Sequence, residues 1–356
     1  MRKLPAVAGL AVALAAGGAL LAYRPDEPRP APGGRVALAA AWPAAQRADL
    51  RGNLRDGPIY QPGIFLDART SLGTAPSPDG TAERLVLRAA DDSIRELRRR
   101  PLATNPEFGA FAAAGDDLVW TESARGEPTQ IWTARGSGGP ARRLTADTGN
   151  AVFFGSQWDL VLADGRVHWA AAKEGAQVTE IRSVALTGGA VAVHEEPGEW
   201  ALTAWPWLTD GGGDQAGTTR LRNLATNRDT PVESTGAELI TCAAAWCRVL
   251  VMNGDGLARI DLMHPDGSGR RRIAGSTAGA AVTDVAVLDR FEILSETGPE
   301  SDLTGTAGLL VYDITADRTV EVSPAADGAF SRGGVLWWAT GDQDSLVWHT
   351  VDLRTV

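Results

Sequence analysis

Lysine is nearly missing from this sequence: Lys3 and Lys173 stand against 32 arginines. We read that as a compositional bias of the coding sequence rather than as chemistry. Histidine is also scarce, with His168, His194, His264 and His349 scattered so that no pair has metal-ligand spacing. His168 and His349 sit in apolar runs beside Trp169 and Trp348, where a strand residue is the plainer reading. There is no Gly-x-Ser-x-Gly elbow, no P-loop and no dinucleotide fingerprint. Positive charge is short as well. The net charge of −10 argues against nucleic acid, which needs a basic surface. No cofactor or metal is expected, and the reading leans away from an enzyme. Two cysteines, Cys242 and Cys247, are present. Outside the cytoplasm such an isolated pair oxidises, and its spacing fits two strands meeting across a tight turn.

The N-terminus carries the signal for location. Met1-Arg2-Lys3 is basic, and residues 4–22 are uncharged and apolar. Residues 1–22 therefore read as a signal peptide or as a membrane anchor with its basic end inside. The run is close to the minimum length for a span, and Leu20 spoils the small-x-small cleavage pattern; both fates stay open. Residues 23–34, with four prolines, read as a semi-rigid spacer. The chain is thus expected to be extracytoplasmic, secreted or anchored to the cytoplasmic membrane, and monomeric.

Forty-one glycines and twenty prolines imply many turns, and the turns recur. LVLRAADDSIREL (85–97), RLRNLATNRDTPV (220–232) and LVYDITADRTVEV (310–322) share one strand–turn–strand pattern, and their separations of 135 and 90 residues are multiples of 45. Further copies lie at 130–144, 180–193, 258–273 and 345–353. Most are preceded by another apolar strand, with Trp120, Trp169 and Trp338 in the same place in three of them. Units of about 40–45 residues, each with several short strands, are the signature of a propeller blade. One blade cannot bury both its faces alone, so neighbours must close into a ring. Residues 35–356 are expected to form a single all-β propeller of four-stranded blades, seven favoured and six possible. The last copy lacks its fourth strand, and RVALAAA (35–41) is the strand available to fill that gap and remove the open edges.

The stretch 106–145, the Asp-Gly-Ser turn in LMHPDGSGRRRIAG (262–275) and SPDG (77–80) resemble the blades of TolB-like and WD-repeat-like propellers. The resemblance covers about 300 residues and rests on turns. It implies the fold, and it allows a transport-accessory role.

Within a blade whose strands are lettered A to D from the axis outward, B–C and D–A connections gather on one face, and A–B and C–D turns on the other. The expected B–C loops hold twelve acids against two bases, Arg125 and Lys173. From them we take Asp210, Asp214, Asp255, Glu296, Asp302, Asp342 and Asp344 as a candidate ligand face. Trp205 and Trp207 join them because they precede a Gly-rich loop. The other tryptophans read as inter-blade core. Arginines crowd the outer strands and C–D turns. If residues 35–41 fill the last blade, the spacer enters on that Arg-rich side and the membrane lies there. The resulting expectation is a binding or scaffold module for a protein or peptide partner in the cell envelope. An envelope hydrolase with a dispersed site is the alternative.

Overall fold

The computed structural model describes residues 34–211, 217–235, 238–254 and 256–356. The signal or anchor segment and nearly all of the spacer lie outside the described residues. So do Asp214 and Asp255 of the candidate face.

The described strands pair into seven antiparallel sets of four. Glu107–Ala114, Asp117–Ala124, Glu127–Arg135 and Gly138–Thr145 form one such blade, each strand bonded to the next in sequence. The first blade runs from Gln61–Phe65 to Ile94–Pro101, the fourth from Ala201–Ala204 to Arg228–Pro231, and the fifth from Glu238–Cys242 to Arg271–Gly275. Blades six and seven are joined by one long strand, Arg318–Arg332. Its first half pairs with Ala307–Asp313 and its second half with Val335–Thr340. Each B strand alternates toward two neighbours, and the core is divided accordingly. Ile64, Leu72 and Leu85 of blade one pack with Phe108, Leu118 and Trp120 of blade two. Val119 and Ile131 of blade two pack with Val167 and Trp169 of blade three. Phe65 of blade one meets Val335, Trp337 and Trp348 of blade seven, which closes the ring. Trp120, Trp169 and Trp338 all lie on B strands and are buried, as the repeat requires.

The closing strand differs from expectation. Arg47–Arg51, not residues 35–41, pairs with Val347–Asp352 as the fourth strand of blade seven. Leu38–Ala41 makes one helical turn, for which Leu-Ala-Ala-Ala has a better propensity than for a strand. Only Val36–Ala37 extends, alongside Val320 and Glu321 of blade six. The physical demand for a paired edge is met by the segment whose Ala48 turns inward on alternate positions. The position of the spacer changes with it. Arg35 binds Glu296, at the B–C end of blade six, through two hydrogen bonds of 2.7 and 2.6 Å. The chain therefore enters beside an acidic B–C loop, and the argument that placed a membrane on the Arg-rich face no longer holds.

Cys242 and Cys247 are disulfide-bonded and buried, joining strands A and B of blade five across a turn closed by Ala243 N–H donating to the Trp246 carbonyl at 2.9 Å. So short a loop limits the chain-entropy gain to about 2 kcal/mol. Replacing both cysteines with serine is expected to cost about that much, read from the denaturant midpoint with and without reductant.

Two inner strands are broken. Strand A of blade three is split into Asn150–Ala151 and Val161–Ala163, and strand A of blade six stops at Ala280. The segments 152–160 and 281–290 leave the ladder, the second with left-handed backbone at Ala286, Leu288 and Asp289.

Candidate functional site

The two departures meet at the axis. Ser156 Oγ donates to Asp284 Oδ1 at 2.5 Å, and the Gln157 N–H donates to Asp284 Oδ2 at 3.1 Å. Asp159 accepts from the Phe154 and Gly155 N–H groups at 2.9 and 2.8 Å, curling its own loop. Arg332, on the inner strand of blade seven, donates to the carbonyls of Phe111, Ser156 and Gly155 at 3.1 to 3.3 Å. One guanidinium thus ties blades two, three and seven together. Below Asp284, Arg248 of blade five binds the fully buried Glu292 and donates to the Val282 and Asp284 carbonyls at 3.2 and 2.8 Å. The second Glu292 oxygen takes the Ala286 N–H at 2.8 Å. Burial raises the Asp159 and Asp284 carboxyls above their ordinary range. Burial lowers the Arg332 guanidinium, against the attraction of both aspartates.

This cluster divides the axis into two cavities. On the D–A and B–C side is one of about 760 Å³, lined by Gly63, Ala110, Ala281, Ser331 and Trp337 with Arg248 and Asp284 at its floor. On the A–B side is one of about 370 Å³ between Trp158, Ala204, Val287 and Gly334. Arg332 lines both. Its bonds are made within the ring, so the cluster reads as a plug. Among the described residues no group of His, Cys, Asp and Glu is arranged to hold a metal ion.

The raised aspartates predict a pH dependence. The native state binds more protons than the unfolded chain from the ordinary carboxylate range up to the raised value, so these groups make stability fall as pH rises through that window. Asp284→Asn is expected to flatten the difference. Urea midpoints of wild type and variant, compared across that range, check it.

The sequence-predicted residues are only partly brought together. Asp210, Glu296, Asp302, Asp342 and Asp344 do stand on B–C connections. Glu296 is neutralised by Arg35. Asp342 holds its own turn through Ser345, which lowers its carboxyl pKa. Glu122, counted among the loop acids, is a buried strand residue bound to Arg98 of blade one, and Glu127 is bound to Arg100. Many outer arginines serve the same purpose: Arg95 donates to the Arg135 and Gly136 carbonyls of the next blade, and Arg270 binds Glu238 and Asp261. The charge contrast between faces is therefore weaker than residue counting suggests. Trp205 and Trp207 are a correction. They flank the A–B turn of blade four, on the face opposite the acids. Trp205 stacks on His168 at 3.9 Å, where burial lowers the imidazole pKa. His349 is held by Thr340 and Asp49, both at 2.7 Å.

Sequence reasoning missed the plug entirely. Asp159, Asp284 and Arg332 lie where inner strands depart from the repeat. A carboxylate in the otherwise uncharged run AVTDVAVL (281–288) was the available signal. It also missed the apolar side of the face. Seven large apolar side chains are exposed among the described residues, and five of them lie toward the D–A and B–C side: Leu102 and Leu303 on connections, Met252 near the B–C end of strand B of blade five, Phe330 lining the larger cavity and Phe154 lining a recess of blade three.

No family model matches the sequence, and no curated protein does. Solved structures do match. A puromycin-hydrolyzing peptidase of Mycobacterium tuberculosis superimposes with a TM-score of 0.54 at 14% identity, over 86% of this chain and 54% of that one. A prolyl endopeptidase gives 0.53 at 14%, over 100% and 55%. The chain is a β-propeller. It spans about half the length of those two peptidases, and the shared fold is what the likeness shows. TolB from Acinetobacter baumannii is also similar, at 9% identity and a TM-score of 0.39, over 76% of each chain. In the described part of the propeller no helix is long and apolar enough to cross a membrane.

Proposed function

We propose that this propeller is an extracytoplasmic, membrane-tethered binding module whose D–A and B–C face docks a protein or peptide partner of the cell envelope. The observation that carries the reading is the gathering of Leu102, Phe154, Met252, Leu303 and Phe330 on that one face, with Leu303 87% exposed at the tip of a B–C loop. Isolated exposed apolar residues are ordinary on any surface, but their concentration on one side, among Asp302, Asp342 and Asp344, is the pattern of an interface with apolar anchors and a polar rim. The axial plug supports the same reading, since its charged groups are satisfied by hydrogen bonds made within the ring. The basic start and apolar run of residues 1–22, followed by the proline-rich spacer, support a partner outside the cytoplasm. The peptidase activity named for the similar structures is not carried over.

A photo-crosslinking residue at Leu303 or Phe330 is expected to trap a partner in intact cells, and one at Val193 or Leu288, on the other side, is not. Equal trapping on both sides would reject the face. Charge-neutral substitutions at Asp302, Asp342 and Asp344 are expected to reduce trapping at Leu303 severalfold.

A further inference from the structure

Between blades three and four, on the same face, lies a recess of about 310 Å³. Its walls are Val152, Ala170, Ala171 and Val178, with the rings of Phe154 and Trp200; among the described residues its charged lining groups are Glu199 and Asp210. Unlike the axial cavities and the cavity beside Arg35, it has no arginine among its described lining residues.

Both carboxylates are mounted on braced backbone. Glu199 sits in the connection between Ala192–Pro197 and Ala201–Ala204. The Gly198 N–H donates to the Gln177 carbonyl at 2.9 Å, and Thr179 Oγ1 donates to the Gly198 carbonyl at 2.9 Å. The Trp200 N–H donates to Thr179 Oγ1 and its indole N–H to the Pro197 carbonyl, both at 2.8 Å. The residues on either side of Glu199 are therefore held, while Glu199 itself is exposed. Asp210 is fixed by the N–H groups of Thr219 and Arg220 at 2.8 and 2.9 Å and by the Thr219 hydroxyl at 2.6 Å. Lys173, on the adjoining B–C loop, is already held by Glu195 at 2.7 Å.

An apolar slot with two carboxylates and two aromatic rings is complementary to a cation carried on an aliphatic stem. The stem fills the Ala and Val walls, the head meets the carboxylates, and the aromatic face of Phe154 attracts it further. Trp200 already has the Arg220 and Arg222 guanidiniums 4.7 and 5.4 Å from its ring centre, so the carboxylates and Phe154 are the groups left for a further cation. We infer that this recess receives an arginine or lysine side chain of the docked partner. The inference deepens the proposed function by making the partner basic at this point, and it rests on that reading for the partner's position.

Agmatine, a four-carbon stem with a guanidinium at one end and an ammonium at the other, is the probe, titrated into the propeller by calorimetry. Saturable binding is expected, with butyrate, of like stem and opposite charge, failing to bind. Glu199→Gln is expected to weaken agmatine at least tenfold. Ala176→Trp, at the exposed rim, is expected to block it by filling the slot without touching a carboxylate. Failure of agmatine to bind, or equal binding by both variants, overturns the inference. The two readings fail separately: trapping at Leu303 without agmatine binding leaves the docking face and removes the recess. Agmatine binding with trapping on the opposite side does the reverse.

Discussion

A protein lacking residues 34–51 will lose more than about 5 kcal/mol of stability and self-associate, because the ring will have been opened. The deletion removes Arg47–Arg51 from its pairing with Val347–Asp352, so a full-length strand edge is left bare. It also removes Trp42, which is buried against Phe291 with ring centres 5.4 Å apart and donates its indole N–H to Asp313 at 3.4 Å. Losing a buried tryptophan by itself costs about 3–5 kcal/mol. Trp42→Ala is the control that separates the two contributions. It should lower the denaturant midpoint and stay monomeric, whereas the deletion should lower it further and elute as dimers or larger species. A monomeric, near-native deletion protein would show that blade seven needs no fourth strand.

Arg248→Ala will cost about 3–5 kcal/mol, because it strands a buried carboxylate. Glu292 is fully buried and has Arg248 as its charged partner, and Arg248 also anchors the irregular segment 281–290 through the Val282 and Asp284 carbonyls. The double variant Arg248→Met, Glu292→Met replaces the pair by apolar groups of similar length. It should recover much of the loss, since a removed pair leaves no uncompensated charge. Urea midpoints for the single and double variants check this. If the single variant is as stable as wild type, the plug is not holding the inner segments together.

The repeat was legible because it is periodic. Strand–turn–strand units such as 85–97 and 310–322 recur with their turn residues, buried B-strand tryptophans recur in blades two, three and seven, and the structure places the two units at equivalent positions in blades one and six. The disulfide was legible for the related reason that four intervening residues cannot hold two cysteines far apart. Residues 35–41 were misread because two segments could supply the missing strand. The choice depends on which one can reach Val347–Asp352 with Ala48 facing inward. Trp205 and Trp207 were misplaced by one loop: adjacency in sequence to Asp210 spans the length of strand B, and so the two faces.

All-β class, blade period and the cysteine pair were therefore determined by the sequence alone, since each depends on composition or on neighbours within one unit. The plug of Asp159, Asp284, Arg332 and Arg248, the neutralising of Glu122 and Glu296, the apolar character of the exposed face and the recess at Glu199 were decided only by the tertiary structure. Each of these joins residues from different blades, and closing the ring is what brings residues more than a hundred positions apart, such as Ser156 and Asp284, within hydrogen-bond distance.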